Sequence, residues 1–188
     1  PVLANETQER LKEVLPPQAS TKNPVDFAGG AEADLWNFVR CSEILLQDKD
    51  IDGLVIVGQY GGYAVDLAAE FSDLEERVSV AITGLVEKYG KPIINHTMYE
   101  PDNPKALQIL RQNGVPVYAV VETAMRCMGA LVEYKSYLDK VEEEEKEKPI
   151  SLPADRMNKV RKIIDNVKDT SRVNLVETEA REIIKAYG

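Results

Sequence analysis

The run Gly53-Leu54-Val55-Ile56-Val57-Gly58 constrains the fold more than any other feature, because an unbroken apolar strand offers no face to water. Such runs belong to parallel strands covered on both sides. The surrounding pattern supplies the covers. Ala33 to Gln47 carries Leu35, Phe38, Val39, Leu45 and Leu46 at helical spacing, with Ser42 on the same stripe. After the strand comes the turn Gly58-Gln59-Tyr60-Gly61-Gly62, and a helical stretch is predicted from near Tyr63. Ser72 and Glu75 have capping-box spacing ahead of a stripe of Leu74, Val78, Ala81, Ile82, Leu85 and Tyr89 that Gly90 ends. Pro92 to His96 reads as the next strand, and Pro104 opens a helix with Ala106, Leu107 and Leu110 that stops at Gly114. Val115 to Val120 reads as a strand near a sheet edge, since Pro116 cannot donate to a ladder. A helix from about Glu122 to Leu138 then follows, with Ala124, Met128, Leu131 and Leu138 directed inward. With Val25-Asp26-Phe27 as a further short strand, the alternation predicts an α/β domain: a parallel sheet with helices on both faces.

The character changes after Asp139. Glu142 to Lys148 has no apolar stripe and repels itself, so residues 140–152 read as an acidic linker or a fraying helix end. Beyond it, Met157, Val160, Ile164 and Val167 mark one amphipathic helix, and Leu175, Val176, Ala180, Ile183, Ile184 and Tyr187 mark another. These helices have no sheet of their own. Their apolar faces are expected to pack on the first domain, on another copy of the chain or on further sequence, which leaves a homo-oligomer open. The expected division is residues 1–139, 140–152 and 153–188. A start at Pro1 and an end at Gly188 directly after a helical pattern lead us to expect a fragment of a longer protein.

A net charge of −9, with no Lys/Arg cluster to offset it, argues against nucleic acid and anionic lipid as partners. There is no signal peptide pattern and no run of eighteen apolar residues, so a cytoplasmic location is expected. Cys41 and Cys127 are too few for a disulfide framework and lie in apolar helical patterns, which predicts buried reduced thiols. No Cys/His metal spacing and no serine nucleophile elbow is present.

One further segment carries more specific information. Leu15-Pro16-Pro17, Ala19-Ser20 and Asn23-Pro24-Val25-Asp26, closed by Gly29-Gly30, is a long stretch that cannot be helical. It resembles the signature of NDP-forming acyl-CoA synthetases, also called ADP-forming acetyl-CoA synthetases, relatives of succinyl-CoA synthetase. The resemblance runs along almost the whole chain. It implies a flavodoxin-like, succinyl-CoA synthetase-like CoA-ligase domain, the second of two such domains in the parent. Leu175 to Gly188 is similar to the opening helix of the ATP-grasp domain that follows in single-chain members. The implied parent is an acid–thiol ligase converting acid, CoA and ATP reversibly to acyl-CoA, ADP and phosphate, through acyl-phosphate and phosphohistidine. CoA, ATP/ADP and Mg are then expected for the parent and no cofactor for this piece, which alone is expected to be inactive. Its implied partners are the CoA-binding and phosphohistidine ligase domain, the ATP-grasp domain and the acyl substrate. An alternative of a different class is the non-catalytic synthetase-like region of a protein acetyltransferase.

The candidate site follows from both readings. The Gly58–Gly62 turn sits where ligands bind in open α/β sheets, at the carboxyl end of a strand. Its spacing matches neither a dinucleotide fingerprint nor a Walker A loop. The resemblance implies that Gly58, Gly61 and Gly62 open a helix whose anion-stabilising N-terminus faces the phosphorylated histidine, although Val65 to Phe71 lengthens the usual connection. On that basis Gly61→Val is expected to block the histidine loop while the fold stands. Asn23, Asp26, Gly29, Gly30, His96 and Thr97 are candidates for a substrate pocket or domain interface. His96 is the only histidine, and it is not assigned as the phosphoryl carrier, because Asn95-His96-Thr97-Met98 lacks the Gly-His-Thr/Ser-Gly loop of the family. Asp26 and Glu100 could be proposed as an acid–base pair, but turn or cap roles suit both better. No catalytic residue and no metal ligand is assigned to this piece.

Overall fold

Strand β1 (Leu54–Gly58) lies beside β2 (Ile93–Thr97), and β2 beside β3 (Val117–Tyr118), all parallel, in the order β1-β2-β3. This is a computed structural model, and it describes residues 2–29, 34–146, 153–170 and 172–187. Leu54 aligns with Ile93 and Gly58 with Thr97, while Asn95 and His96 align with Val117 and Tyr118. β3 is an edge strand, as Pro116 requires; the Pro116 carbonyl accepts from the Asn95 N–H at 2.9 Å, and no N–H is needed from Pro116 itself.

Around the sheet run α1 (Asn5–Val14), α2 (Trp36–Gln47), α3 (Tyr63–Asp66), α4 (Phe71–Tyr89), α5 (Lys105–Gln112) and α6 (Val121–Lys146). The apolar stripes read from the sequence make the main core. Val78, Ile82 and Leu85 of α4 and Leu107 and Leu110 of α5 are buried with Ile56, Ile93 and Val117 of the sheet. Gly90 ends α4 in the left-handed region (φ 62°), a conformation glycine adopts without steric cost. The fold is α/β, with a small parallel sheet flanked by helices.

A second cluster joins Leu3, Leu11 and Leu15 to Cys41, Ile44, Leu45 and Ile51. It depends on α1, which was not among the expected helices, although Thr7, Leu11 and Val14 already have the spacing of one helical face. Asp48, just past α2, secures the start of α1. Its Oδ2 accepts the Thr7 hydroxyl at 2.7 Å and the Ala4 N–H at 3.3 Å. Lys91 closes the same corner by donating to the Leu46 and Asp48 carbonyls, where a cation also complements the helix dipole.

Three expectations change. Val25–Phe27 is not a strand of the sheet: Ser20 and Asp26 form an isolated antiparallel bridge instead, because the chain folds back on itself across the intervening prolyl turn. Ser72 and Glu75 do not form a capping box on α4. Ser72 bonds Glu76, and Glu75 turns inward to another segment. Leu131 and Leu138 of α6 are 46% and 39% exposed rather than inward, whereas Ala124 is fully buried. Periodicity marks a helix face without specifying a cover for it, and at Leu131 that face is already open to solvent. The helix also continues to Lys146, through part of the stretch expected as linker; residues 147–152 lie outside those described.

Two units emerge, Pro1–Ser136 and Tyr137–Gly188. In the second, α7 (Ala154–Asp169) and α8 (Glu177–Tyr187) pack together with Val167 and Ala186 buried. Lys159 pairs with Glu182 across them, and Arg172 grips Glu179 with two nitrogens.

Candidate functional site

The turn after β1 is crowded at Gly61 and Gly62 and open at Gly58. Gly58 and Gly61 have φ of +133° and +88°, which an L side chain rarely adopts. A Cβ on Gly61 would lie 2.2 Å from Leu107 Cδ2, and one on Gly62 would lie 2.0 Å from the Tyr99 ring. Leu107 and Tyr99 therefore press directly on the backbone. Within the turn, Gly62 N–H donates to the Gln59 carbonyl at 2.9 Å.

Its inner side is held by Glu75, which reaches from α4 and is 1% exposed. Glu75 Oε1 accepts the Tyr63 N–H and Oε2 the Ala64 N–H, each at 3.0 Å, and the Gly61 N–H adds a third interaction. Burial pushes the Glu75 carboxyl above the usual carboxylate range, and the amides of Ala64, Tyr63 and Gly61 pull the other way without overcoming it. Beside it Tyr60 is fully buried; its hydroxyl donates to the Glu75 carbonyl at 3.1 Å and lies 2.7 Å from Ser79 Oγ. Burial likewise raises the Tyr60 phenol, so it stays neutral.

On the outer rim, Gln59 Nε2 donates to Asp66 at 3.2 Å. The Tyr99 phenol also meets Asp66 and is raised in pKa, by desolvation first and by that carboxylate second. An aromatic series runs from the turn to the proline-rich segment. Phe38 lies 4.9 Å from Tyr60 and 5.0 Å from Phe27, centroid to centroid, and Tyr63 is 6.1 Å from Phe71.

Gly58, Gly61, Gly62 and Thr97 thus come together at the carboxyl end of the sheet. Thr97 is fully buried, and its hydroxyl accepts the Tyr99 N–H at 3.3 Å, so it supports the turn from behind. His96 aligns with Val57 and Tyr118, and its side chain alternates to the face opposite Thr97. His96 Nδ1 is buried with no partner among the described residues, and the same holds for both amide atoms of Asn95, which is fully buried in register with Ile56 and Val117. Asp26 is exposed and accepts the Ala28 N–H at 2.9 Å, a turn role. Asn23 is exposed beside Pro24, Gly29 has φ +72° with open space around it, and Gly30 lies outside the described residues. Glu100 is engaged by Arg111, so Asp26 and Glu100 each have a separate local role.

Cys41 is buried and its thiol is pushed up to about 12 by burial, which leaves it protonated and inert. Cys127 is half-buried beside the Tyr118 hydroxyl. Among the described residues no cluster of three His, Cys, Asp or Glu could hold a metal, and no helix is long and apolar enough to cross a membrane.

A parallel sheet with a glycine turn at its carboxyl end is the plan of an open α/β fold, and the relatives narrow it to the succinyl-CoA synthetase-like kind. The comparisons specify the relatives. Over 184 residues, 96% of this chain and 24% of the relative, it is 27% identical to 4-hydroxybutyrate–CoA ligase [ADP-forming] of Nitrosopumilus maritimus (strain SCM1). Over 70% of the chain and 27% of the relative it is 30% identical to subunit alpha of acetate–CoA ligase [ADP-forming] II of Pyrococcus furiosus. The crystal structure of PH0766 from Pyrococcus horikoshii OT3 matches with a TM-score of 0.50 and 29% identity, over 65% of this chain and 27% of that one. No protein-family model matches the chain. The resemblance to the NDP-forming acyl-CoA synthetases holds: its curated homologues are ADP-forming acyl-CoA ligases, and the chain spans about a quarter of their length.

The sequence reading missed Glu75 as the group beneath the turn and Phe38 as the bridge to the proline-rich segment. A signal for Glu75 was present: an acidic residue on the same stripe as Val78 and Ile82 must either be buried or break the stripe.

Proposed function

We propose that the chain is the second ligase domain of an NDP-forming acyl-CoA synthetase, followed by the opening helices of its ATP-grasp domain. The parent then converts acid, CoA and ATP to acyl-CoA, ADP and phosphate, with phosphate carried on a histidine of the other ligase domain. Similarity to a CoA ligase along 96% of the chain carries this reading. The glycine turn at the carboxyl end of the sheet supports it.

Within that parent Asn23, Asp26, Gly29, His96 and Thr97 contribute to a substrate pocket or domain interface; Gly30, the remaining candidate, lies outside the described residues. The role of Gly58, Gly61 and Gly62 becomes one of shape. The amides of Tyr63 and Ala64 already hold the Glu75 carboxylate, so the turn offers a rigid backbone rim to the histidine loop. Phosphorylation falls on the other ligase domain and not on His96.

Reconstitution tests the division of labour. The 188-residue chain, mixed with the rest of its parent, is expected to restore acyl-CoA synthesis from a short-chain acid, CoA and ATP, with phosphate trapped on the other ligase domain. Synthesis by this chain alone, or phosphate mapped to His96, overturns it.

A further inference from the structure

We infer that Glu75 is the positioning residue of the Gly58–Ala64 turn, a buried carboxylate that fixes two consecutive amides and so sets the shape the turn presents at the end of the sheet. The geometry is more than a helix cap requires. α3 has only four residues and contributes little that would repay the burial of a carboxylate. A Ser or Asn cap satisfies one amide, whereas Glu75 engages Tyr63 with one oxygen and Ala64 with the other, which fixes the orientation of the peptide plane between them. Among the described residues no ion pair of Glu75 competes for these oxygens, and the amides are the groups that favour its ionised form. From the other side Leu107 and Tyr99 leave no room for a Cβ at Gly61 or Gly62. The turn is therefore clasped between α4 within and α5 and Tyr99 without. Tyr60 bonds Ser79 and the Glu75 carbonyl nearby, and neither bond involves the Tyr63 or Ala64 amide.

Amide exchange in the 188-residue chain reads this directly. In Glu75→Gln one side-chain oxygen is replaced by an NH2 group that faces an N–H, so at least one of Tyr63 and Ala64 loses its acceptor. Their exchange is expected to accelerate about 10- to 100-fold, while the amides of Ile93, Ile94 and Asn95 keep wild-type protection. Ser79→Ala is the control for a mere core defect. It removes a buried hydrogen bond from the same helix and is expected to leave Tyr63 and Ala64 protected. Unchanged exchange at both residues in Glu75→Gln overturns the inference, as does equal acceleration of turn and core in both variants. Should Glu75→Gln not fold, the wild-type chain decides: the inference requires Tyr63 and Ala64 to exchange with the slow β2 class, and exchange at the rate of an open loop overturns it.

The activity arm rests on the proposed ligase reading. In the full parent, Glu75→Gln is expected to lower kcat by about tenfold or more with little change in KM for acid or CoA, and Ser79→Ala to leave kcat near wild type. A wild-type parent without ligase activity would defeat the ligase reading and leave the exchange result standing. An active parent in which Glu75→Gln has full kcat defeats the positioning role.

Discussion

Two corners of the domain are built on buried carboxylates, and they behave oppositely. Asp48 joins α1 to the end of α2, and Glu75 holds the glycine turn to α4; the residues are 6% and 1% exposed. Asp48 is held below its usual value, first by the Thr7 hydroxyl and then by the Asp50 N–H, with burial opposing and Ala4 N–H and Lys91 adding to the hydrogen bonds. Glu75 is driven up, first by burial. Both accept backbone amides, so hydrogen bonding alone does not separate them. The difference lies in what accompanies the amides: a hydroxyl and a nearby ammonium at Asp48, an apolar core at Glu75. Asp48 stabilises a helix corner in its ionised form. Glu75 is retained in a place where ionisation is costly, which is the pattern of a group kept for position.

The largest expected effect breaks the Glu75 corner by steric force. Gly61→Val sets a branched side chain against Leu107 at a φ of +88°, and it should destabilise the domain by more than about 3 kcal/mol, seen as a lower urea midpoint at unchanged slope. This replaces the expectation that Gly61→Val leaves the fold standing, because the clash is internal. A shift under about 1 kcal/mol would show that the turn yields and is not clasped.

Next in size is the acid response, where the two corners separate in sign. Asp48 has a folded pKa below its ordinary value of 3.8, so its stabilisation is present above 3.8 and lost as pH falls through the folded pKa. Glu75 has a folded pKa above 4.5, so its contribution is fully present below 4.5 and lost as pH rises through the folded value. Asp48→Asn should cost about 1–2 kcal/mol at neutral pH and less in acid. Protonated Glu75 is the near-isostere of Gln, so Glu75→Gln should lie nearest wild type in acid and gain stability relative to it as pH rises past the Glu75 pKa. Urea midpoints across the acid range check both, and parallel curves for the two variants would dissolve the contrast.

Much of this frame is legible from the chain and the decisive contacts are not. The Gly53–Gly58 run, the Val78/Ile82/Leu85 stripe and the Gly90 stop all follow from periodicity and φ preference, which are local. Val25–Phe27 failed as a strand because pairing depends on a partner that the sequence does not specify; the segment met Ser20 instead. Leu131 and Leu138 failed because periodicity marks a helix face but does not specify what covers it. Glu75 was visible as an acidic residue at capping spacing, but its partner, twelve residues back in sequence, is set by how α4 crosses the turn. Similarly, Gly61 and Gly62 looked like a ligand loop, and only the positions of Leu107 and Tyr99 show that their missing Cβ atoms are needed for packing.

The smallest effect sharpens the comparison by removing burial altogether. Asp26 accepts the Ala28 N–H at 2.9 Å, the same carboxylate-to-amide bond found at Asp48 and Glu75, but its side chain is exposed. In water the amide and the carboxylate lose little when separated, because solvent replaces each partner. Asp26→Ala should therefore cost no more than about 0.5 kcal/mol, and the Ser20–Asp26 backbone bridge should survive, since it uses only main-chain atoms. Urea unfolding and the exchange of the Asp26 and Ser20 amides measure both parts. A loss as large as that of Asp48→Asn would mean that the carboxylate-to-amide bond, and not its surroundings, sets the energy, and the distinction between the two buried corners would have to be found elsewhere.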